Sequence, residues 1–143
     1  MSFIENTLYE KIIKNVPILC IDLIINYEKN FLLVKRKENP MSGEWWVPGG
    51  RVKIGEDIKE AAVRKLNQEL SIYNHGDLKK YALYQDFFKS SSIGTHLYHT
   101  LSIVFKVKID NLSAIDIDKT SSEWALKNNL PKRLKNKMEI INE

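Results

Sequence analysis

The sequence predicts an α+β domain in which helices cover a mixed β-sheet. Three observations support this prediction: one strongly helical segment at residues 56–70, strand-like segments on both sides of it, and a glycine-rich loop immediately before it. The 143 residues suit one domain with its own core, since domains cluster at roughly 100 to 150 residues. No linker rich in Pro, Gly and Ser interrupts the chain, so residues 1–143 are expected to form a single unit.

The first half of the chain predicts a helix, a hairpin and a structured loop. Apolar residues at helical spacing indicate a helix at Asn6–Asn15, and Pro17 ends the pattern. Two apolar runs at residues 17–26 and 31–35 are separated by a polar turn, which favours a β-hairpin. Residues 35–55 hold four of the six glycines and are interpreted as a loop that carries function.

The second half predicts a further helix, two strands and a last helix. Residues 56–70 contain neither Gly nor Pro and begin with acidic side chains, as helices prefer. Residues 81–88 and 97–109 are strand candidates, the second because apolar and polar residues alternate along it. The last helix is expected to present a solvated basic face formed by Lys127, Lys132, Arg133, Lys135 and Lys137.

The composition excludes several classes of protein. A chain with 43% hydrophobic residues is neither disordered nor collagen-like. The single cysteine, Cys20, cannot form an internal disulfide, so an oxidising compartment is not indicated. No apolar stretch approaches the roughly 18 to 20 residues that cross a bilayer, and no signal-peptide pattern is seen. We therefore expect a cytoplasmic protein without a membrane partner, and the basic cluster lacks the interleaved aromatic residues typical of nucleic-acid binding.

Glu69 is the unusual residue of the central helix. At about 100° per residue it lies near +20°, inside the apolar stripe that contains Leu66. A carboxylate in that position needs a cation, a metal ion or an edge exposed to water, because an unpaired buried charge is costly. An i,i+4 ion pair with Lys65 is one explanation, and a metal-binding or catalytic role is the other.

A motif in this region changes the interpretation. The segment 50–56, followed by Arg64 and Glu69, resembles the Nudix box, Gx5Ex7REUxEExGU. Lys65 and Gln68 stand where ordinary Nudix pyrophosphohydrolases carry glutamates, and the terminal glycine is also replaced. With one of three clustered carboxylates left, a multi-metal site for attack on phosphorus becomes hard to build.

The reduced box resembles the GDP-mannose mannosyl hydrolase branch of the family, which keeps the final glutamate and a single magnesium. The resemblance implies a Nudix-like α/β/α sandwich, a homodimer with the amino-terminal helix as a candidate contact, and Mg²⁺-dependent hydrolysis of a nucleoside-diphosphate sugar to free sugar and nucleoside diphosphate. Two alternatives remain open: ordinary pyrophosphohydrolysis at a P–O bond, and a catalytically weak domain that binds nucleotide sugars.

The same resemblance assigns roles to individual residues. It implies that the carbonyl of Gly49 and the carboxylate of Glu69 bind magnesium, with Asp118 in the place of a glutamine ligand. Arg64 is expected to orient the box through Glu56 or Glu60 and to assist catalysis. Arg51 is implied to be both catalytic and substrate-binding. The other implied substrate-binding residues are Asp22, Arg36 and Trp45. Trp46 is expected to pack beneath the loop.

The general base is left open by the sequence. The family places a catalytic histidine close to Trp124, where this chain carries Lys119. Lysine is a poor base unless its pKa is strongly lowered, because a base should titrate near the working pH. Asp86, Asp116, Asp118 or a loop histidine are the candidates, and His99 is either a family histidine or part of the core.

Overall fold

The computed structural model describes residues 4–117 and 121–141. Within these residues, eight strands form one sheet, and three helices lie against it. The helices are α1 (Asn6–Asn15), α2 (Ile58–Arg64), which continues into a π-helical turn (Lys65–Glu69), and α3 (Lys132–Lys137). The strands are β1 (Ile18–Tyr27), β2 (Asn30–Arg36), β3 (Trp45–Trp46), β4 (Gly49–Arg51), β5 (Lys79–Ser91), β6 (Gly94–Ile109), β7 (Ser121–Lys127) and β8 (Glu139–Ile140).

The sheet is mixed, as the sequence predicts. Its main strand order is β3-β2-β1-β6-β5-β8, while β4 pairs with β1 and β7 pairs with β2. β1 and β6 are parallel, with Ile18 opposite Thr100 and Tyr27 opposite Ile109. The other described pairs are antiparallel. The parallel pair lies in the middle of the sheet, which is where parallel strands are covered on both faces.

Each face of the sheet has its own core. On one face, Ala61 and Leu66 of the central helix pack with Leu23 and Phe105. On the other face, Leu134 of α3 packs with strand residues that include Ile24 and Val104. Because helices cover both faces, the predicted α/β/α layering is confirmed. Among the described helices, none combines the length and apolar character needed to span a membrane.

β1 and β2 separate as they leave their hairpin. Their paired residues lie at the turn, at Asn26 with Phe31 and at Tyr27 with Asn30. At its other end, β1 pairs instead with β4, which places Asp22 opposite Gly49. The sheet therefore opens between β1 and β2, and the loop before α2 fills part of this opening.

The predicted elements are confirmed, with shifts at their ends. The first helix is found at Asn6–Asn15. The central helix begins at Ile58, not at residue 56, because the Asp57 carboxylate accepts a hydrogen bond from the Lys59 amide and caps it. Leu8 of α1 is about half exposed, which leaves that helix available to a second copy of the chain, and the homodimer stays a prediction.

The predicted basic face is wrong at Lys127, which lies on a strand, whereas the other four residues belong to α3 and are exposed. Lys127 ends β7, and its Nζ lies 4.7 Å from the centre of the Trp45 ring. Arg133 and Lys137 of α3 both donate hydrogen bonds of 2.6 Å to Oδ1 of Asp86, a side chain buried within the sheet face. These two cations therefore attach α3 to β5.

Asp86 is ionised in this environment. Burial opposes its ionisation, but hydrogen bonds from Arg133, Lys137 and the Tyr84 hydroxyl outweigh that effect and hold the pKa of Asp86 well below its usual range. A carboxylate with a lowered pKa and two bound cations is a poor proton acceptor near neutral pH. Asp86 is therefore a poor candidate for the general base, and it lies outside the described lining of the large cavity.

We expect Asp86→Asn to lower the free energy of unfolding at pH 7 by about 1–3 kcal/mol, because hydrogen bonds to charged groups contribute roughly that much. Arg133 and Lys137 are partly exposed and can rehydrate, which keeps the loss moderate. The stabilisation by Asp86 requires ionisation, so it is lost as the pH falls below about 4, where the unfolded side chain takes up a proton. Urea denaturation of both proteins at pH 7 and pH 3 measures both effects. If the variant loses the same free energy of unfolding at both pH values, the assignment is contradicted.

Candidate active site

An open cavity of about 800 Å³ lies at the end of the sheet where β1 and β2 separate. The inward-facing residues of three neighbouring strands change there from apolar to polar. Towards the cavity, the apolar Ile24 gives way to Asp22 on β1, and Val104 gives way to Ser102 on β6. On β5, Ala82 gives way to Tyr84 in the same direction. This change of side-chain character converts one end of a buried sheet face into the wall of a polar cavity.

The central helix supplies the second wall. Lys65, Glu69 and Arg64 line the cavity, although the helix packs on the opposite face of the sheet. They reach it through the opening between β1 and β2. The π-helical turn at Lys65–Glu69 changes the helical spacing here, so the projection of Glu69 on an ideal α-helix no longer applies.

Glu69 lies at the edge of the apolar stripe, where its side chain is 16% exposed. Its Oε2 is 3.0 Å from Nζ of Lys65, and its Oε1 is 3.6 Å from Nη1 of Arg64. The ion pair with Lys65 that the sequence offered as one explanation is therefore present. It coexists with an open path to the cavity, so the carboxylate remains able to bind a ligand there.

Glu56 and Arg64 form a bidentate ion pair. The guanidinium donates from Nε to Oε2 at 2.8 Å and from Nη2 to Oε1 at 3.0 Å. Nη2 also donates to the Arg51 carbonyl at 3.1 Å, and the Lys53 amide donates to Glu56 at 3.0 Å. Of the two partners proposed for Arg64, Glu56 is the one observed. The pair joins the helix to the loop that precedes it, which supports an orienting role for Arg64.

Gly49 is held tightly against β1. A Cβ atom at this position would overlap the Asp22 carboxylate and the Ile21 carbonyl, so the close approach requires glycine. Asp22 itself is 7% exposed and accepts a hydrogen bond from Ser102. Burial raises the pKa of Asp22 to about 6, although Arg36 and Lys65 oppose the rise. The predicted substrate-side aspartate is therefore in the cavity, beside the predicted metal-binding glycine.

The two predicted phosphate-binding arginines also line the cavity. Arg36 donates from Nε to the Pro40 carbonyl at 2.7 Å, which leaves its other donors available. The Arg51 guanidinium lies 5.9 Å from the ring centre of Tyr9 on α1. The charged residues of the described lining are five cations, Arg36, Arg51, Lys53, Arg64 and Lys65, and four carboxylates, Glu10, Asp22, Glu38 and Glu69.

The donor set fits one divalent ion. No group of three or more His, Cys, Asp or Glu side chains that could hold a metal occurs in residues 4–117 and 121–141. Mg²⁺ accepts such a sparse set, because it is commonly bound through one or two carboxylates, water and substrate phosphates. The Glu69 carboxylate and the Gly49 carbonyl are the described groups that suit it, and Asp118 lies outside the described residues.

The chain next to Asp118 nevertheless approaches this region. The Asp116 amide donates to the Leu70 carbonyl at the end of the helix, at 3.1 Å. Ile117 lines a small cavity together with Gly49 and Lys65. The segment after β6 is thus fixed beside the Glu69 end of the helix, although the Asp116 side chain is exposed.

Two of the predicted residues, Trp45 and His99, lie away from the cavity, whereas Trp46 belongs to its described lining. Trp45 is outside the described lining of the cavity and packs against Lys127, so its assignment to the substrate side gains no support from its position. Trp46 is 6% exposed and packs with Tyr84 at 5.6 Å between ring centres, which confirms the prediction that it packs. His99 alternates with the cavity-lining Tyr98, so it faces the other side of the sheet, beside Gln85 and Phe87.

Sequence reasoning missed the contribution of β6 and α1 to the cavity. Tyr98, Thr100 and Ser102 line it from alternate positions of β6, and Tyr9 lines it from α1. The alternation of β6 indicated only its apolar face. The polar residues at the intervening positions were a usable signal, but the parallel register that places Ser102 beside Cys20 is a tertiary feature.

The NUDIX domain family model matches residues 17–137. The chain belongs to the Nudix family. It is 33% identical over 104 residues to the low-salt glycan biosynthesis protein Agl8 of Haloferax volcanii, covering 72% of this chain. It is 34% identical over 118 residues to an ADP-ribose pyrophosphatase of Methanocaldococcus jannaschii, covering 81% of this chain. Each alignment covers 66% of the relative's own length.

Solved Nudix structures share the fold. The MutT protein of Methanosarcina mazei Go1 superposes with a TM-score of 0.57 at 28% identity, covering 78% of this chain and 77% of that one. The NUDIX domain of Shewanella oneidensis NrtR, solved with ADP ribose, superposes with a TM-score of 0.60 at 18% identity, covering 78% and 73%. These likenesses confirm the architecture that the sequence predicts.

Gly49→Ala and Gly50→Ala form a matched pair that tests the close approach of the loop to β1. The added methyl group at Gly49 meets backbone and carboxylate atoms, whereas the space beside Gly50 is open. We expect Gly49→Ala to lower the free energy of unfolding by about 1–3 kcal/mol, as overpacking usually does, and Gly50→Ala to cost less than about 1 kcal/mol. Chemical denaturation measures the free energy of unfolding of both variants, and equal losses of stability contradict the packing argument.

Proposed function

We propose that this protein hydrolyses a nucleoside diphosphate linked to a sugar, and that the reaction requires one divalent ion, Mg²⁺. The cleaved bond in this proposal joins the sugar's anomeric carbon to the diphosphate, and the products are a free sugar and a nucleoside diphosphate. GDP-mannose represents the substrate class. The observation that carries the proposal is the ion pair at the cavity wall between Glu69 and Lys65, which lies four residues earlier on the helix.

The ion pair between Lys65 and Glu69 favours cleavage of the C–O bond for an electrostatic reason. Attack on phosphorus by a metal-bound hydroxide benefits from several ions, which need several carboxylate ligands. A lysine beside Glu69 lowers the local negative charge and disfavours a second ion. A nucleoside diphosphate, in contrast, is a good leaving group once its charge is neutralised, so one ion and the surrounding cations are sufficient.

The protein's own residues have distinct parts in this reaction. Arg36 and Arg51 line the cavity and suit phosphate oxygens, which guanidinium groups bind in a bidentate manner. Glu69 and the Gly49 carbonyl would hold the ion, whose positive charge stabilises the departing diphosphate. Asp22 faces the same cavity and suits a sugar hydroxyl as a hydrogen-bond acceptor.

The proposed step transfers the sugar from the diphosphate to water. A water oxygen bonds to the anomeric carbon, the bond from that carbon to the diphosphate oxygen breaks, and its electron pair stays on the diphosphate. One proton of the attacking water leaves through the open cavity to solvent.

Ordinary pyrophosphohydrolysis is the second candidate. It is favoured by the relative in Methanocaldococcus jannaschii, which is named an ADP-ribose pyrophosphatase. Both candidates share the same substrate chemistry, a diphosphate between a nucleoside and a sugar. They differ in the bond that water attacks, so the position of the incoming oxygen separates them.

Hydrolysis in ¹⁸O-enriched water distinguishes the two reactions. We expect turnover of GDP-mannose with added Mg²⁺, and mass spectrometry should find the heavy oxygen in the free sugar. Heavy oxygen in a phosphate product would instead establish P–O cleavage, with a sugar phosphate and a nucleoside monophosphate as products. Tight binding of GDP-mannose without turnover, across a panel that also includes ADP-ribose, would favour a nucleotide-sugar sensor.

Glu69→Gln tests the metal-binding assignment, with Glu60→Gln as its control on the same helix. Glu69 faces the cavity, whereas Glu60 is exposed on the helix surface. We expect Glu69→Gln to lower kcat by about 10²-fold or more and to move the Mg²⁺ dependence to higher concentrations. Glu60→Gln should remain within about twofold of the original protein, because isolated surface charges contribute little. Initial rates over a Mg²⁺ titration measure this, and equal behaviour of the two variants contradicts the assignment.

A further inference from the structure

The cavity continues beyond the groups assigned to the diphosphate. Ser102 of β6 lies beside the β1 residue that pairs with Arg51, so it marks the charged end of the cavity. Tyr98 precedes Ser102 by four residues, which places it about 13 Å further along the strand at about 3.3 Å per residue. The side chains of Tyr98, Phe88 and Tyr9 all belong to the described lining. These three rings define an aromatic end of the cavity.

A buried serine lies at the aromatic end. Ser91 is 5% exposed and belongs to the described lining. Its Oγ is 2.7 Å from Nε2 of His96, whose ring meets the Tyr98 ring edge-on at 6.4 Å between centres. The same Oγ accepts a hydrogen bond of 3.2 Å from the Ile93 amide. Because His96 is outside the described lining, its influence on a ligand passes through Ser91.

The histidine fixes the direction of the serine hydroxyl. Nδ1 of His96 is 2.8 Å from the Leu97 carbonyl, which can only accept a hydrogen bond. Nδ1 therefore carries the proton, and in the neutral ring Nε2 is an acceptor. The Ser91 hydroxyl donates to Nε2, so its oxygen can only accept a hydrogen bond from any further partner. Ser91 thus presents an acceptor to the cavity.

A second acceptor belongs to the same region. Glu10 of α1 lines the cavity and is near enough to His96 for their charges to interact. One of its oxygens accepts a hydrogen bond of 2.7 Å from Lys14, which lowers the pKa of Glu10 and keeps the side chain ionised. A carboxylate accepts hydrogen bonds and donates none. Ser91 and Glu10 together form what we call the acceptor wall.

We propose that the acceptor wall selects guanine as the base of the substrate, and that Ser91, oriented by His96, accepts a hydrogen bond from that base. This inference rests on the proposed function, because the diphosphate fixes where the nucleoside lies. Guanine presents two adjacent donors, its N1–H and its amino group, which two acceptors can satisfy. Adenine, cytosine and uracil each carry an acceptor beside their donor. One member of the wall would then face a lone pair, which costs binding energy.

The aromatic end suits the flat faces of the same base. Stacking on aromatic rings adds affinity without distinguishing one base from another. The Arg133 guanidinium lies 4.8 Å from the centre of the Phe88 ring and holds that ring against α3. The rings therefore bind the base, and the acceptor wall identifies it.

Calorimetric titration of GDP and ADP tests this selection, with Mg²⁺ present and at pH 8, where histidine is ordinarily neutral. We expect the original protein to bind GDP about tenfold more tightly than ADP. Ser91→Ala should weaken GDP binding about fivefold, the effect of losing one neutral hydrogen bond, and leave ADP binding unchanged. Ser90→Ala removes a neighbouring hydroxyl outside the described lining and should bind both nucleotides as the original protein does.

Two results overturn the proposal. One is equal affinity of the original protein for GDP and ADP. The other is an equal loss for both nucleotides in Ser91→Ala, which would indicate a contact with the shared ribose or a role in the fold alone. Circular dichroism shows whether each variant is folded. If Ser91→Ala does not fold, Glu10→Gln replaces it, because Glu10 is at the helix surface and its loss should likewise weaken GDP binding alone.

His96→Phe tests the positioning role of the histidine. Phenylalanine can keep the ring contact with Tyr98 but cannot accept the Ser91 proton, so the hydroxyl becomes free to donate. We expect GDP binding to weaken about fivefold and ADP binding to be retained or improved. A histidine that only supports the fold gives equal losses for both nucleotides, and that result contradicts its positioning role.

Failure of the proposed function is distinguishable from failure of this inference. Heavy oxygen found in a phosphate product rejects C–O cleavage, while a loss of GDP affinity alone in Ser91→Ala still supports the selection of guanine. Heavy oxygen in the sugar together with equal losses for GDP and ADP rejects only the acceptor wall.

Discussion

The bidentate ion pair between Glu56 and Arg64 fixes the geometry on which the site depends. Both side chains are 13% exposed, so the pair is well shielded from water and its geometry is specific. Through the Arg51 carbonyl and the Lys53 amide, the pair attaches β4 and the following loop to the central helix. The two groups proposed to hold an ion, the Gly49 carbonyl and the Glu69 carboxylate, lie on either side of this attachment.

The site is formed where the sheet opens and side chains from both of its faces reach the same cavity. β1 and β2 part after their hairpin, and the loop that carries Gly49 occupies the opening. Side chains from the helix on one face thereby reach a cavity formed by Tyr98, Thr100 and Ser102 on the other face. Charges from both sides are brought close together, and those that are largely buried, such as Asp22 and Lys65, need compensation by a neighbour. This requirement explains why the cavity lining holds both acidic and basic groups.

The predictions succeeded where local pattern decides structure and failed where distant residues meet. Apolar spacing placed α1 correctly, and the box motif led to Arg64 and Glu69, which line the cavity, and to Glu56, which pairs with Arg64. Arg133 and Lys137 were predicted on a solvated helix face and are exposed, but no local pattern indicated their ion pairs with β5. Their partner, Asp86, is 47 and 51 residues away and becomes a neighbour only when α3 docks on β5.

The amino-acid sequence by itself determined the family, the layered α+β architecture and the identity of the charged residues in the box, because periodicity and motif spacing are local properties of the chain. Only the tertiary structure decided which of those charges face one cavity. The opening between β1 and β2, the parallel register of β1 with β6 and the π-helical turn at Lys65–Glu69 together place Lys65 beside Glu69 and Asp22. These arrangements depend on the packing of distant segments, which no local pattern encodes.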